Sequence, residues 1–253
     1  MLLAVAASWR DGFVALGGLG AGFVNGVAGG GTLVSFPVLL AVGVPALRAN
    51  VTSTVGIFPG YLGGVAGFRR EVLAQRDRLR AVALVAVAGA VGGAILLLVT
   101  PSTAFSRVAP YLILVSCILF AVQPVLATRL SRASGRSRWL LGQGGIFLAC
   151  LYGAYFGAGL GVLLLAVLGI TMPDRLEMTS GLRSVISLGV NTIAAIVFVI
   201  AAHVSWTYAG ILAATSLVGG YAGARFALRI PRGPLRILII LIGLAAAARL
   251  LAG

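Results

Sequence analysis

Charge in this chain is confined to short gaps between long apolar runs, and that arrangement leaves few folds open to it. The runs fall near residues 12 to 29, 32 to 47, 51 to 68, 81 to 99, 105 to 127, 140 to 156, 158 to 171, 184 to 202, 206 to 224 and 235 to 252. A stretch of about 20 apolar residues is what a helix needs to cross roughly 30 Å of hydrocarbon. With 60% hydrophobic and only 9% charged residues, the chain lacks the polar surface a water-soluble domain of 253 residues requires. The pattern predicts an all-α polytopic protein, multi-pass in a plasma (inner) membrane, with the lipid bilayer as its first partner.

The net charge of +14 comes from nineteen basic residues, all arginine, set against five acidic ones. No basic run is interleaved with aromatics as a strand-binding groove would be, so nucleic acid is excluded as a partner. The arginines instead report topology. Five lie between Arg69 and Arg80, four between Arg129 and Arg138, two at Arg175 and Arg183, and four between Arg225 and Arg236. Alternating through ten segments from an outer start puts all four groups on one face, which the positive-inside rule makes cytoplasmic. Arg10, Arg48, Arg107, Arg249 and His203 then fall on the outer face.

The two halves resemble each other. An offset of 127 places Gly26 on Gly153, Gly30 on Gly157, Arg48 on Arg175, Thr52 on Thr179 and Ser53 on Ser180, and an offset of 130 places Gly93 and Ala94 on Gly223 and Ala224. The expected organisation is a first transmembrane repeat over 1–128, a cytoplasmic Arg-rich linker over 129–139 and a second repeat over 140–253. Each repeat holds about five segments, an odd number, so the second enters the membrane from the opposite face. Inverted repeats with short or broken helices are a device of secondary transporters. The second and seventh segments, short and preceded by glycine-rich joints, are the expected broken helices.

Those joints carry the candidate chemistry. The first reads Asn25-Gly26-Val27-Ala28-Gly29-Gly30-Gly31-Thr32 and is followed by Asn50, Thr52 and Ser53; the second holds Gly157, Gly159 and Gly161 and is followed by Thr179, Ser180, Arg183 and Asn191. Glycines that break a helix expose backbone N–H groups, and helix N-termini add partial positive charge, so both joints suit an anion. Arg48 and Arg175 are expected at the two entrances. Close helix packing by small residues is the competing reading of the glycines. The five carboxylates, Asp11, Glu71, Asp77, Asp174 and Glu177, all lie in or beside gaps, so no carboxylate-based metal site or proton relay is expected at depth, and no cofactor is implied. Cys117 and Cys150 read as small buried hydrophobes. No Gly-x-Ser-x-Gly occurs and the lone histidine is near a surface, so the chain is not expected to be an enzyme. An accessory membrane subunit without transport of its own is the alternative to a carrier, and homo-oligomers are compatible with either.

The glycine run into Pro37 with Ala49-x-x-Thr52-Ser53, the run Tyr152-Gly153-x-Tyr155-Phe156-Gly157-Ala158-Gly159-x-Gly161, Trp206 opening a segment, and Gly219-Gly220-x-x-Gly223-Ala224-Arg225 with Leu235-Arg236 resemble the TauE/SafE family of sulfite and organosulfonate exporters. The resemblance covers nearly the whole chain. It implies a membrane transporter whose cargo is a small sulfur-containing or carboxylate anion. Ala158 and Leu160 interrupt the family's triple glycine in the second half.

Overall fold

The computed structural model of the chain describes residues 2–27, 29–129, 136–171, 176–226 and 232–252. Among them every regular element is helical: α1 Leu2–Val27, α2 Thr32–Ala41, α3 Ala46–Gly67, α4 Arg69–Leu73, α5 Arg76–Val99, α6 Ser102–Arg129, α7 Arg136–Tyr155, α8 Leu160–Thr171, α9 Leu176–Ala201, α10 Trp206–Phe226 and α11 Arg232–Ala252. Helices close their own backbone hydrogen bonds, which hydrocarbon cannot do for them. Four are long and apolar enough to cross a membrane: Arg76–Val99, Ser102–Val122, Glu177–Ala201 and Gly233–Leu251. Large apolar side chains such as Leu16, Leu84, Leu141, Leu148 and Ile200 point outward from the bundle, the reverse of a soluble protein and the surface a bilayer solvates.

The two short segments are short helices. α2 has 10 residues and α8 has 12, about 15 and 18 Å at 1.5 Å per residue, well under the hydrocarbon thickness. Two expectations from the sequence are corrected. The stretch Arg69 to Arg80 is not an irregular gap: it forms α4 and the start of α5, because Glu71 and Asp77 in the first turns suit helix N-termini. The run expected to begin at 184 begins at Leu176, so Thr179, Ser180 and Arg183 are inside a helix. Arg183 consequently leaves the topological count and becomes a buried group. The expected linker overlaps the ends of α6 and α7, and its residues 130–135 lie outside the described residues.

Glycine builds the tightest contacts. On α1, Gly18, Gly22 and Gly26 recur every four residues and therefore share one face. That face meets α10, where any Cβ on Gly22 would overlap the Ser216 carbonyl and any on Gly223 the Phe23 carbonyl. Gly60 of α3 packs backbone to backbone on Gly220 of the same α10, and Gly89 and Gly93 of α5 do the same against α7. For these positions the packing reading holds.

The contacts repeat when the halves are exchanged. α1 packs on α10 as α7 packs on α5, α3 on α10 as α9 on α5, and α2 on α11 as α8 on α6. The contact of α3 with α6 has no equally extensive counterpart between α9 and α11. α3 and its counterpart α9 run antiparallel: Thr52 near the start of α3 bonds Ser205 beyond the end of α9, whereas Glu71 beyond the end of α3 touches Gly181 near the start of α9.

The turns after α2, α5 and α9 meet at one end of the bundle, around a cavity of about 370 Å³ lined by Pro45, Arg48, Ser102 and His203 among others. At the other end, Gln75 donates to the Met178 carbonyl at 2.8 Å and Gln143 to the Ala81 carbonyl at 3.1 Å, drawing the arginine-bearing segments together. Cysteines placed at 76 and 203, both exposed positions, are expected to divide accordingly. In intact cells an impermeant thiol reagent should label residue 203 and spare residue 76; labelling of 76 alone would invert the topology.

Candidate functional site

The two helix breaks cross each other near the centre of the bundle. α1 ends in a left-handed glycine cap: Gly29 has φ +76°, and its N–H donates to the carbonyls of Val24 at 3.0 Å and Asn25 at 3.1 Å. α7 ends the same way at Gly157, φ +81°, and Gly159 at φ +84° turns the chain into α8. Gly29, not Gly30, is thus the conformational counterpart of Gly157, one residue off the offset read from sequence. The breaks touch directly, with the Gly161 N–H donating to the Gly29 carbonyl at 3.0 Å.

Two of the exposed N–H groups expected at the first break, those of Gly29 and Gly31, are already used. Gly31 donates to Asn25 Oδ1 at 2.6 Å, and the Gly29 N–H closes α1. Gly30 lies under the Phe120 ring. The donors available to a ligand come instead from side chains. Asn25, Gly29, Gly60, Tyr61, Gly64, Arg183, Ser184 and Ser187 line a small cavity between α1, α3 and α9. Asn25 Nδ2, the Tyr61 hydroxyl and the Ser187 hydroxyl have no hydrogen-bond partner, although the three residues are 5%, 5% and 3% exposed.

Arg183 is the largest fully buried side chain, at 1% exposure. Burying a guanidinium costs several kcal/mol unless it is hydrogen-bonded and faces negative potential. Its Nη2 donates to the Gly26 carbonyl at 3.3 Å, in the last turn of α1, where carbonyls lose their helical partners and the dipole is negative. The glycine break therefore accommodates the arginine by ending α1 beside it. An amide NH₂ and a guanidinium are donors only, and the two hydroxyls can donate. Left unsatisfied, Asn25 Nδ2 and the Tyr61 and Ser187 hydroxyls each cost about 1–3 kcal/mol, so these three, beside a buried guanidinium, match a group that accepts several hydrogen bonds and carries negative charge. The room left for the centre of a water-sized occupant is about 10 Å³, the space of one water. As it stands the cavity is too small for an oxyanion.

The remaining expected residues are distributed elsewhere. Thr52 accepts from the Ser205 N–H at 3.0 Å, and Ser53 shares a 2.5 Å hydrogen bond with Ser35. Thr179 and Ser180 are buried on α9, and the Ser180 carbonyl accepts from Ser184 at 2.8 Å. Asn191 donates to the Ser187 carbonyl at 2.9 Å, one turn beyond the cavity. At the second break Thr32 packs on Gly157, and Asn50 donates to the Tyr155 carbonyl at 2.9 Å. Arg48 opens on the 370 Å³ cavity among the turns after α2, α5 and α9, and Arg175 lies outside the described residues.

Sequence reading passed over Tyr61, Ser184 and Ser187. For the serines a signal existed: Ser180, Ser184, Ser187 and Asn191 recur at spacings of four, three and four, which puts a polar stripe on one face of an apolar helix. Tyr61 had none, because only the packing of α3 on α9 brings it there.

The family model described as "Sulfite exporter TauE/SafE" matches residues 14–250. A Sinorhizobium protein described as "Probable membrane transporter protein ORF9" is 26% identical over 239 residues, covering 92% of this chain and 88% of the relative. The Escherichia coli K12 "Probable membrane transporter protein YfcA" is 23% identical over 235 residues, covering 91% and 86%. A "Probable membrane transporter protein" of Haemophilus influenzae is 22% identical over 233 residues, covering 92% and 91%. No solved structure matches the chain. The match runs from the middle of α1 to the end of α11 and includes both crossed breaks and the donor cavity, and the chain belongs to the TauE/SafE sulfite exporter family.

Proposed function

We propose that the chain is a secondary transporter that moves a small oxyanion, such as sulfite, an organosulfonate or a related carboxylate, by alternating access between two halves of opposite membrane orientation. The observation that carries this reading is the gathering of Asn25 Nδ2, Tyr61, Ser187 and Arg183 around one buried cavity beside a broken helix. The family's description as sulfite exporters supports the choice of anion. The paired contacts and antiparallel counterparts support the inversion, since exchanging the conformations of two such halves closes one face as it opens the other. Arg48 collects the anion at the outer mouth. Val51, at the floor of that cavity, is nine residues from Gly60 along α3, about 14 Å at 1.5 Å per residue. The passage between mouth and cavity therefore has to open during the cycle.

Flux of labelled sulfite in proteoliposomes of the purified protein tests this. Saturable uptake is expected, and Arg48→Gln should raise the concentration for half-maximal uptake from the outer side, with a difference that shrinks at high salt because exposed charges are screened. Folded, inserted protein that moves no oxyanion would leave the accessory-subunit alternative standing.

A further inference from the structure

The second break carries polar groups of the opposite kind. Thr32 and Asn50 are 1% and 0% exposed. Asn50 spends its NH₂ on the Tyr155 carbonyl at 2.9 Å, while its Oδ1 and the Thr32 Oγ1 have no hydrogen-bond partner. An amide oxygen can only accept, and a threonine hydroxyl has two lone pairs. Thr32 Oγ1 and the Gly153 carbonyl oxygen lie on the same side of Gly157, at 2.8 and 3.6 Å from the place a Cβ there would occupy. These oxygens gather at the C-terminal end of α7. There the last carbonyls of the helix lose their helical partners and the dipole is negative.

The end of α1 has the same electrostatic need and meets it with Arg183. At the offset of 127 the position corresponding to Arg183 is Gly56, so the repeat supplies no equivalent arginine for the end of α7. We propose that a monovalent metal cation, sodium in the first instance, binds at the second break through Asn50 Oδ1, Thr32 Oγ1 and backbone carbonyls of the last turn of α7. Oxygen donors suit such a hard cation. A divalent ion would call for carboxylates, and no group of three His, Cys, Asp or Glu is gathered among the described residues. A proton has no titratable acceptor in the amide and hydroxyl oxygens. Neutral oxygens at a helix end carry no charge by which a sequence could mark them as a cation site.

The role of the cation as the ion coupled to transport rests on the oxyanion reading above. The Gly161 to Gly29 hydrogen bond joins the two breaks, so filling one side fixes the backbone that frames the other. Binding itself is tested without any oxyanion substrate. The purified protein in lipid nanodiscs is unfolded thermally in sodium, potassium or choline gluconate at equal ionic strength. Because a ligand that binds only the folded state raises its apparent stability, Tm should rise saturably with sodium or potassium relative to choline. Thr32→Val should weaken the apparent affinity by about tenfold or more, and Thr32→Ser, which keeps the oxygen, should stay within about threefold of wild type. Equal Tm in all three salts overturns the site, as does a Thr32→Val protein that responds like wild type. Sulfite binding that persists without a metal-ion response sinks only this proposal. A metal-ion response without sulfite binding sinks only the oxyanion reading.

Discussion

Arg183→Gln should lower sulfite flux by at least about a hundredfold while the protein still inserts into the membrane. Removing one partner of a buried charge pair costs about 3–5 kcal/mol, and 1.4 kcal/mol is a factor of ten. The fully buried guanidinium is the one positive charge among the residues lining the cavity. Arg183→Lys keeps the charge but loses the planar fork of donors, so its flux should fall between the two. A purely structural role makes a different prediction. If Arg183 only caps α1 through the Gly26 carbonyl, Arg183→Gln should lower the melting temperature and leave the flux of the folded fraction unchanged. Flux per folded molecule, measured beside thermal unfolding, separates the two.

Gly29→Val should strongly destabilise the fold at the first break. Its φ of +76° is a region that β-branched residues avoid, and a Cβ there would sit 2.6 Å from the Gly161 Cα and 3.1 Å from the Arg183 Nη1. Backbone strain of that kind costs about 1–3 kcal/mol before any steric overlap is counted, and the crossing hydrogen bond to Gly161 would be pushed apart as well. The yield of folded protein after detergent extraction should fall sharply. Gly64→Ala is the control: it lines the same cavity, yet a Cβ there meets nothing within 4 Å, so folding should be retained. Wild-type stability in Gly29→Val would show that the two breaks do not meet as described.

Much of the fold was legible because apolar runs and glycine joints are local signals. α2 and α8 are short because glycine ends α1 and α7 before them, and those glycines stand plainly in the sequence. α4 escaped notice since a five-residue helix rich in arginine looks like a polar gap. The site was less legible. Asn25, Gly29 and Arg183 could be singled out as unusual residues, but whether the Gly31 N–H was available depended on where Asn25 Oδ1 pointed. Thr52 and Ser53 resembled Thr179 and Ser180 in sequence, yet Thr52 is taken up by the turn before α10 and Ser53 by Ser35. Partnering of this kind is settled by tertiary packing. The stripe Ser180, Ser184, Ser187 and Asn191 stands at helical spacing in the sequence, but spacing alone does not say which helices it faces.

The central claim, that the donors between α1, α3 and α9 bind an oxyanion, is tested most directly by equilibrium binding. Thermal unfolding of the purified protein is followed while sulfite, taurine, sulfoacetate and simple carboxylates are titrated in, with sodium and ionic strength held constant. At least one oxyanion should raise the Tm saturably. Tyr61→Phe and Ser187→Ala, each of which removes one hydroxyl donor without adding bulk, should weaken that ligand by about three- to tenfold, the worth of a single net hydrogen bond. No stabilisation by any oxyanion, or an affinity unchanged in both variants, would contradict the claim.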